Sequence, residues 1–399
     1  MMKTTERILI LDGHTNQALA CVRSLGKAGY SVLVASHKRF PLGGWSRYCK
    51  GRFLLTEQSV AAFASMRAWA KKEGVAIVLP LTERSCVLCN EERTAWEEMG
   101  ITVGCASDEM LQNAFDKELT LHHAEACGVR IPPTRYPKSL EDCLAAVEEL
   151  GFPCVVKPRW SNAWNGKLFL PTQSPTYLNT RHDLSVLLAD QKQGECWPLI
   201  QGYVPGQGKG VFALCDRGSV IAWFAHERLR DTRPTGSSSS LRRSVHLDPR
   251  LLEPARKLLA EMKWHGPAMV EFKDDGTNEP YLMEVNGRFW GSLQLAIDAG
   301  VDFPRLWVSV LKGESPAPVT EYMEGVTLRW LWGDIKRFVS ILHGPPAGYP
   351  GAFPPVKQAI KELLGPQPKG TRLEMWRTND PLPAVGELAG GFREFLSWR

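Results

Sequence analysis

The sequence predicts an α/β protein with a mixed α+β centre, on three observations. Residues 8–35 alternate strand, helix and strand, which implies a parallel sheet. From residue 211 to 286, strand-like segments come in pairs joined by turn residues, the mark of antiparallel hairpins. The chain has 399 residues, more than one core usually holds, so two or three domains are expected.

In chain order, Ile8–Leu11 is an apolar strand, and Ala18, Leu19, Val22 and Leu25 repeat at helical spacing. Val32–Ala35 follows as a second strand, residues 58–72 as a helix, Val75–Leu79 as a strand, 83–99 as a helix and Ile101–Val103 as a strand. This is a doubly wound N-terminal domain over residues 1–110. Gly13 is the one glycine in the first turn, so the G-x-G-x-x-G pattern is absent and dinucleotide binding is rejected. Cys86 and Cys89 form a C-x-x-C inside a helical stretch without a second metal-ligand pair, and are read as packed thiols.

A helix over 111–127 carries Asp116-Lys117, and Pro132-Pro133 then enforces extended chain. After the helix 140–150, the strand Cys154–Val156 delivers Lys157, an anion ligand or a snorkelling stem, into the polar, Trp-containing loop 159–167. Residues 197–206 are strand-like as far as a Pro-Gly break, and Val211–Cys215 and Val220–Ala225 pair across Asp216-Arg217-Gly218. The tract 226–243 sets Arg228, Arg230, Arg233, Arg242 and Arg243 around a Gly/Ser run and is read as a mobile lid over an anionic site. After a helix at 249–262, residues 268–273 and 281–286 form a hairpin. In that hairpin Glu271 lies opposite Glu284, Lys273 faces Leu282, and 276–279 form the loop. Glu271, Glu284 and Asn286 then share one face, because side chains two apart point the same way. Opposed carboxylates repel, and two carboxylates with an amide oxygen suit Mg²⁺. Residues 316–399 read as a C-terminal extension packed on the rest.

Hydrophobic content of 44% and charged content of 23% are those of a globular protein. A net charge of +5 is small for this length and speaks against a nucleic-acid partner. No run approaches a membrane span, and the ten scattered cysteines with no export signal place the expectation in the cytoplasm.

The order of these pieces resembles the ATP-grasp superfamily, in the branch similar to the large chain of carbamoyl-phosphate synthetase. The pieces are Asp116-Lys117, Val155-Val156-Lys157-Pro158, Leu199 to Gly206, Val270-Glu271-Phe272 and Met283-Glu284-Val285-Asn286-Gly287-Arg288, spread over residues 1–315. The resemblance implies an ATP-grasp domain at 111–315, made of two α+β subdomains. It implies ATP as cosubstrate, with Lys117 and Lys157 on the phosphates and Gln201, Gly202, Tyr203 and Val204 as the adenine hinge. Glu271, Glu284 and Asn286 would hold Mg²⁺, or Mn²⁺ in its place, and Arg288 would face the transferred phosphate. Arg233 and Arg243 are added as lid residues acting on the substrate. Two departures stand out: tryptophans occupy the loop after Lys157, and Gln207-Gly208 stand where a ribose-binding carboxylate is common. The implied reaction joins a small-molecule carboxylate, anionic by the arginine count, to an amine through an acyl-phosphate. A kinase or carboxylase reaction and a regulatory nucleotide-binding role stay open, as does a homodimer. His226 keeps two readings, a base for the amine and a hydrogen-bonded structural histidine.

Overall fold

In the computed structural model the described residues are 5–172, 174–188, 197–236, 238–276 and 279–397, with side chains to 391. Strands β1 (Arg7–Ile10), β2 (Ser31–Ser36), β3 (Cys49–Leu54), β4 (Val75–Leu79) and β5 (Thr102–Val103) form a parallel sheet in the order β3-β2-β1-β4-β5. The central β1 is buried from Ile8 onward, as its unbroken apolar run requires. At its end Asp12 takes a left-handed φ of 54° and accepts from Leu81 N at 3.1 Å and Ser85 Oγ at 2.6 Å. A side chain at Gly13 would meet Val34 Cγ1 at 2.1 Å, so packing explains that lone glycine without a nucleotide. Strand β3, which the sequence reading missed, alternates half-buried and exposed residues and has no apolar run.

A small sheet follows. Strands β6 (Thr134–Arg135), β7 (Cys154–Lys157), β10 (Thr176–Leu178) and β11 (Leu199–Gly202) assemble as β10-β7-β11-β6, after the short hairpin β8 (Ala163–Trp164) and β9 (Phe169–Leu170). The third sheet holds β12 (Gln207–Asp216), β13 (Ser219–Asp231), β14 (Ser239–Ser244), β15 (Gly266–Asp274), β16 (Tyr281–Asn286), β17 (Thr327–Arg329) and β18 (Arg372–Leu373). Their order is β16-β15-β12-β13-β14-β17-β18. The N-terminal sheet and this one share their apolar cores: Leu9 and Val78 cluster with Val211 and Val270, and Ile10 and Val34 with Phe212 and Trp307.

Several sequence expectations change here. The stretches 111–127 and 83–99 each split into two helices. In the first, Asp116 is the N-cap of Lys117–Ala126, accepting from Glu118 N at 3.0 Å, and ends Asp108–Phe115. The supposed lid over 226–243 is strand on both sides of a short turn, because β13 runs to Asp231 and pairs with β14 from Ser239. Strands β17 and β18, both beyond residue 316, complete the large sheet. The loop tip 277–278 of the hairpin that carries Glu271 and Glu284 lies outside the described residues.

The C-terminal segment is fastened by buried ion pairs. Arg23 on the helix Asn16–Lys27 donates to Asp380 Oδ2 at 2.8 Å and to the carbonyls of Glu374 and Met375. Both side chains are about 3% exposed or less. Removing one partner strands a buried charge, so Asp380→Ala should cost roughly 3–5 kcal/mol in a denaturant titration. Asp380→Ala paired with Arg23→Met should recover part of that loss.

Candidate active site

A cleft of about 1140 Å³ lies between the small sheet and the large one, with Thr15–Gln17 of the N-terminal region at its rim. Its floor is the β15–β16 hairpin. Glu271 pairs with Glu284, as the sequence register required, but a bulge between Glu271 and Phe272 shifts the rest by one, so Lys273 faces Tyr281 and Phe272 faces Leu282. The carboxylates do not lean on each other. Glu271 receives Arg228 at 2.9 Å, while Glu284 Oε1 accepts from Asn286 Nδ2 at 3.0 Å. Asn286 Oδ1 in turn accepts from Arg288 Nη2 at 3.1 Å, and Arg288 lies 3.9 Å from Glu83. Burial pushes the Glu271 carboxyl up, Arg228 pulls it down and the charge of Glu284 raises it again.

Two glycines make the Arg228–Glu271 pair attainable. β12 lies between β13 and β15, and Gly210 pairs with both His226 and Glu271. Arg228 must therefore cross β12, and it does so over Gly208, where a Cβ would sit 3.3 Å from its Nη1. These glycines occupy the place where the sequence lacked a ribose carboxylate.

Lys157, at the end of β7, reaches the same cleft. Burial lowers its amine to about 8; Glu284 opposes that shift, while Lys117 and Lys273 add to it. Lys117 begins its helix beside Asp116 and donates to Ser161 Oγ at 2.9 Å. Asp116 also receives Arg159 Nε at 2.7 Å, which fastens the loop after Lys157. That loop is docked on the N-terminal domain through Trp164 Nε1 to Glu91 at 2.9 Å and Asn162 Nδ2 to Glu83 at 2.8 Å. Gln201, Gly202, Tyr203 and Val204 line the cleft, yet the Gln201 side chain turns to Thr134 Oγ1 at 2.9 Å. The Gly202 and Tyr203 amides donate to Pro133 and Pro153. Those two amides are thus occupied, and Tyr203 sets its ring 5.1 Å from Lys273 Nζ, which lines the cleft as well.

Arg233 and Arg243 are not brought to the cleft. Arg243 pairs across the strands with Glu227 and donates to it at 2.7 Å on the face opposite Arg228 and Arg242, since strand side chains alternate. Arg233 is exposed on the turn, where Pro234, Thr235 and Gly236 line the cleft instead. The arginines that do line it are Arg228, Arg230, Arg242, Arg288 and Arg337. The odd–even alternation of β13 was a signal for Arg228. Nothing local marked Thr15–Gln17, or Trp330, Arg337, Tyr349 and Phe353 from the C-terminal segment, which complete the wall. His226 is buried, stacked on Phe212 at 4.6 Å, with Nε2 2.9 Å from Ser292 Oγ. Burial holds it well below the usual imidazole range, and so neutral.

Residues 198–333 match the family described as ATP-grasp in the biosynthetic pathway with Ter operon. The chain carries an ATP-grasp domain. It is 25% identical over 232 residues to the carbamoyl phosphate synthase large chain of Pyrobaculum aerophilum, covering 54% of this chain and 21% of that one. It is 30% identical over 97 residues to the formate-dependent phosphoribosylglycinamide formyltransferase of Wolinella succinogenes, 24% of each chain. The matches thus span about a fifth to a quarter of these curated relatives. The fold is similar to that of the biotin carboxylase of Campylobacter jejuni, with a TM-score of 0.63 at 16% identity over 81% of this chain and 74% of that one. The N5-carboxyaminoimidazole synthetase of Staphylococcus aureus aligns with a TM-score of 0.61 at 15% identity over 82% of both chains.

The Arg228–Glu271 pair across the glycines is open to a direct test. Arg228→Leu should destabilise the protein by roughly 2 kcal/mol, below the full cost of breaking a buried pair because Glu271 keeps 22% of its side chain exposed. Adding Glu271→Gln should return most of that loss in a double-mutant cycle; additive losses would show that the two groups are uncoupled.

Proposed function

We propose that the chain is an ATP-dependent carboxylate–amine ligase working through an acyl-phosphate. The observation that carries this reading is the Glu271–Glu284 pair opposed across β15 and β16, with Lys157 and Arg288 lining the same cleft. Two carboxylates and an amide oxygen are hard donors, and their juxtaposition without a cation between them is unfavourable. The donor set fits Mg²⁺: Glu271 and Glu284 would hold it, joined by the amide oxygen of Asn286 once that oxygen leaves Arg288. When bound, the cation neutralises phosphate oxygens during transfer.

The protein's own groups do the rest. Lys117 and Lys157 bind phosphate oxygens, and the backbone of Gln201–Val204, apart from the occupied Gly202 and Tyr203 amides, receives the adenine edge. Arg288 faces the transferred phosphoryl group. A substrate carboxylate oxygen bonds to the γ-phosphorus as the bond to the ADP oxygen breaks. An amine nitrogen then bonds to the acyl carbon, inorganic phosphate leaves, and the amine proton passes to solvent. Such a reaction is promoted by positioning and by fixed positive charge. In support, one relative bears the name of a formate-dependent formyltransferase, which couples a carboxylate to acyl transfer. The substrates are then small molecules. No helix among the described residues is long and apolar enough to cross a membrane.

Two outcomes follow. With ATP, Mg²⁺, a carboxylic acid panel and hydroxylamine, one acid should drive ADP release and hydroxamate formation, and Glu284→Gln should remove both. ADP release that needs an acceptor alcohol or bicarbonate would replace the ligase reading with a kinase or carboxylase one. Nucleotide binding without any turnover would replace it with the regulatory one.

The second concerns pH. Lys157 in the free protein loses its proton as pH rises through about 8. Phosphate binding favours the charged amine, so nucleotide affinity should fall above that pH, and binding should take up a proton there. Calorimetry in buffers of different ionisation enthalpy reads that proton; a proton count of zero at pH 9 would remove Lys157 from the phosphates.

A further inference from the structure

The main cleft extends beyond the nucleotide region, and its far end has a different electrostatic character. The lining of the cleft includes Asp231 at the end of β13 and Tyr349, Phe353 and Pro354 from the C-terminal segment. Asp231 lies three residues past Arg228, about 10 Å further along the strand. The five arginines around 226–243 suggested an anionic ligand, but those that line the cleft are already paired. Arg230 meets Asp334 at 2.7 Å, Arg242 meets Glu374 at 2.5 Å, and Arg228 is held by Glu271. Arg337 meets Glu362 at 2.7 Å and gives its Nη1 to the backbone carbonyl of Asp231, at 3.0 Å, not to its carboxylate.

Asp231 is therefore a carboxylate in excess. Its Oδ1 is buried and has no hydrogen-bond partner among the described residues. Burial pushes the group up to about 6, with Arg228 and Arg337 pulling the other way, so it remains largely ionised at neutral pH. Asp231 also lines the cleft, so a cationic group bound there would compensate a carboxylate charge that no ion pair meets among the described residues. Tyr349 is near enough to feel its charge, and Phe353 and Pro354 line the same cleft and offer apolar surface. The wall is fixed: Asn179 Nδ2 donates to Gly348 O at 3.0 Å, and the Tyr349 ring lies edge-on to Tyr177 at 5.2 Å.

We propose that this end of the cleft binds a primary ammonium on an apolar stem, with Asp231 accepting its hydrogen bonds and Tyr349, Phe353 and Pro354 covering the stem. On the ligase reading, the reacting amine must be neutral and close to Arg288, so the ammonium at Asp231 belongs to a second amino group. The amine substrate is then an elongated molecule of diamine or basic amino-acid type. Asp231 is a specificity residue and takes no part in phosphoryl transfer.

The test compares pentylamine with pentanol, a neutral isostere, by saturation-transfer NMR titration of the full chain. The wild type should bind pentylamine about ten-fold more tightly, the size of one charge-assisted hydrogen-bonded contact. Asp231→Asn should bring the two affinities within about two-fold of each other. Tyr349→Ala should weaken both ligands together, since it removes only stem contact. Equal affinities in the wild type, or an amine preference that survives in Asp231→Asn, would overturn the assignment. Acid-dependent ADP release with hydroxylamine tests the ligase reading on its own. Its failure with amine preference intact would sink only that reading, and the converse would sink only this site.

Discussion

Two like charges held opposite each other on neighbouring strands set the terms for everything around them. Glu271 and Glu284 have no freedom to separate, because β15 and β16 are paired and their side chains project from the same face. The surroundings answer this with cations from three directions. Arg228 arrives across β12, Lys157 from the small sheet, and Arg288 from the chain just past β16. The cleft is where those three elements converge. A nucleotide's phosphates need the same set of positive groups, so the arrangement that relieves the carboxylates is also the one that would hold ATP.

Backbone economy makes this convergence possible. Gly208 and Gly210 carry no side chain on the cleft face of β12, so a guanidinium from one neighbour can span to a carboxylate on the other. Glycine inside a strand normally weakens it. Here β12 is flanked on both sides by long partners, β13 and β15, which offset that loss.

This also shows what could be read from residue order and what could not. The opposition of Glu271 and Glu284 was legible because hairpin pairing and side-chain alternation are local rules. The strand that delivers Lys157 was legible for the same reason. The bulge was not, since nothing in Met283 announces that it stands unpaired between Leu282 and Glu284. Choosing Arg243 over Arg228 failed because the Gly/Ser tract looked like a linker, when strand pairing makes it a turn and so decides which arginines face inward. The contribution of Tyr349 and Phe353 was beyond reach, because it depends on contacts between residues more than a hundred positions apart.

Those distant contacts have a common physical form. The C-terminal segment is joined to the N-terminal helix by Arg23–Asp380, to β14 by Arg242–Glu374 and to β13 by Arg230–Asp334, all deeply buried. Buried pairs return little net stability, because desolvating both partners cancels most of their attraction. What they supply is register: each guanidinium donates to its carboxylate in a fixed geometry, whereas an apolar contact would tolerate sliding. Three such pins fix where Trp330, Arg337 and Tyr349 stand relative to the floor made by β13 and β15. They also consume the positive charge of those arginines. The same pairs that position the wall therefore leave Asp231 as the unmatched charge facing the far end of the cleft, and the polarity of that end follows from how the C-terminal segment is attached.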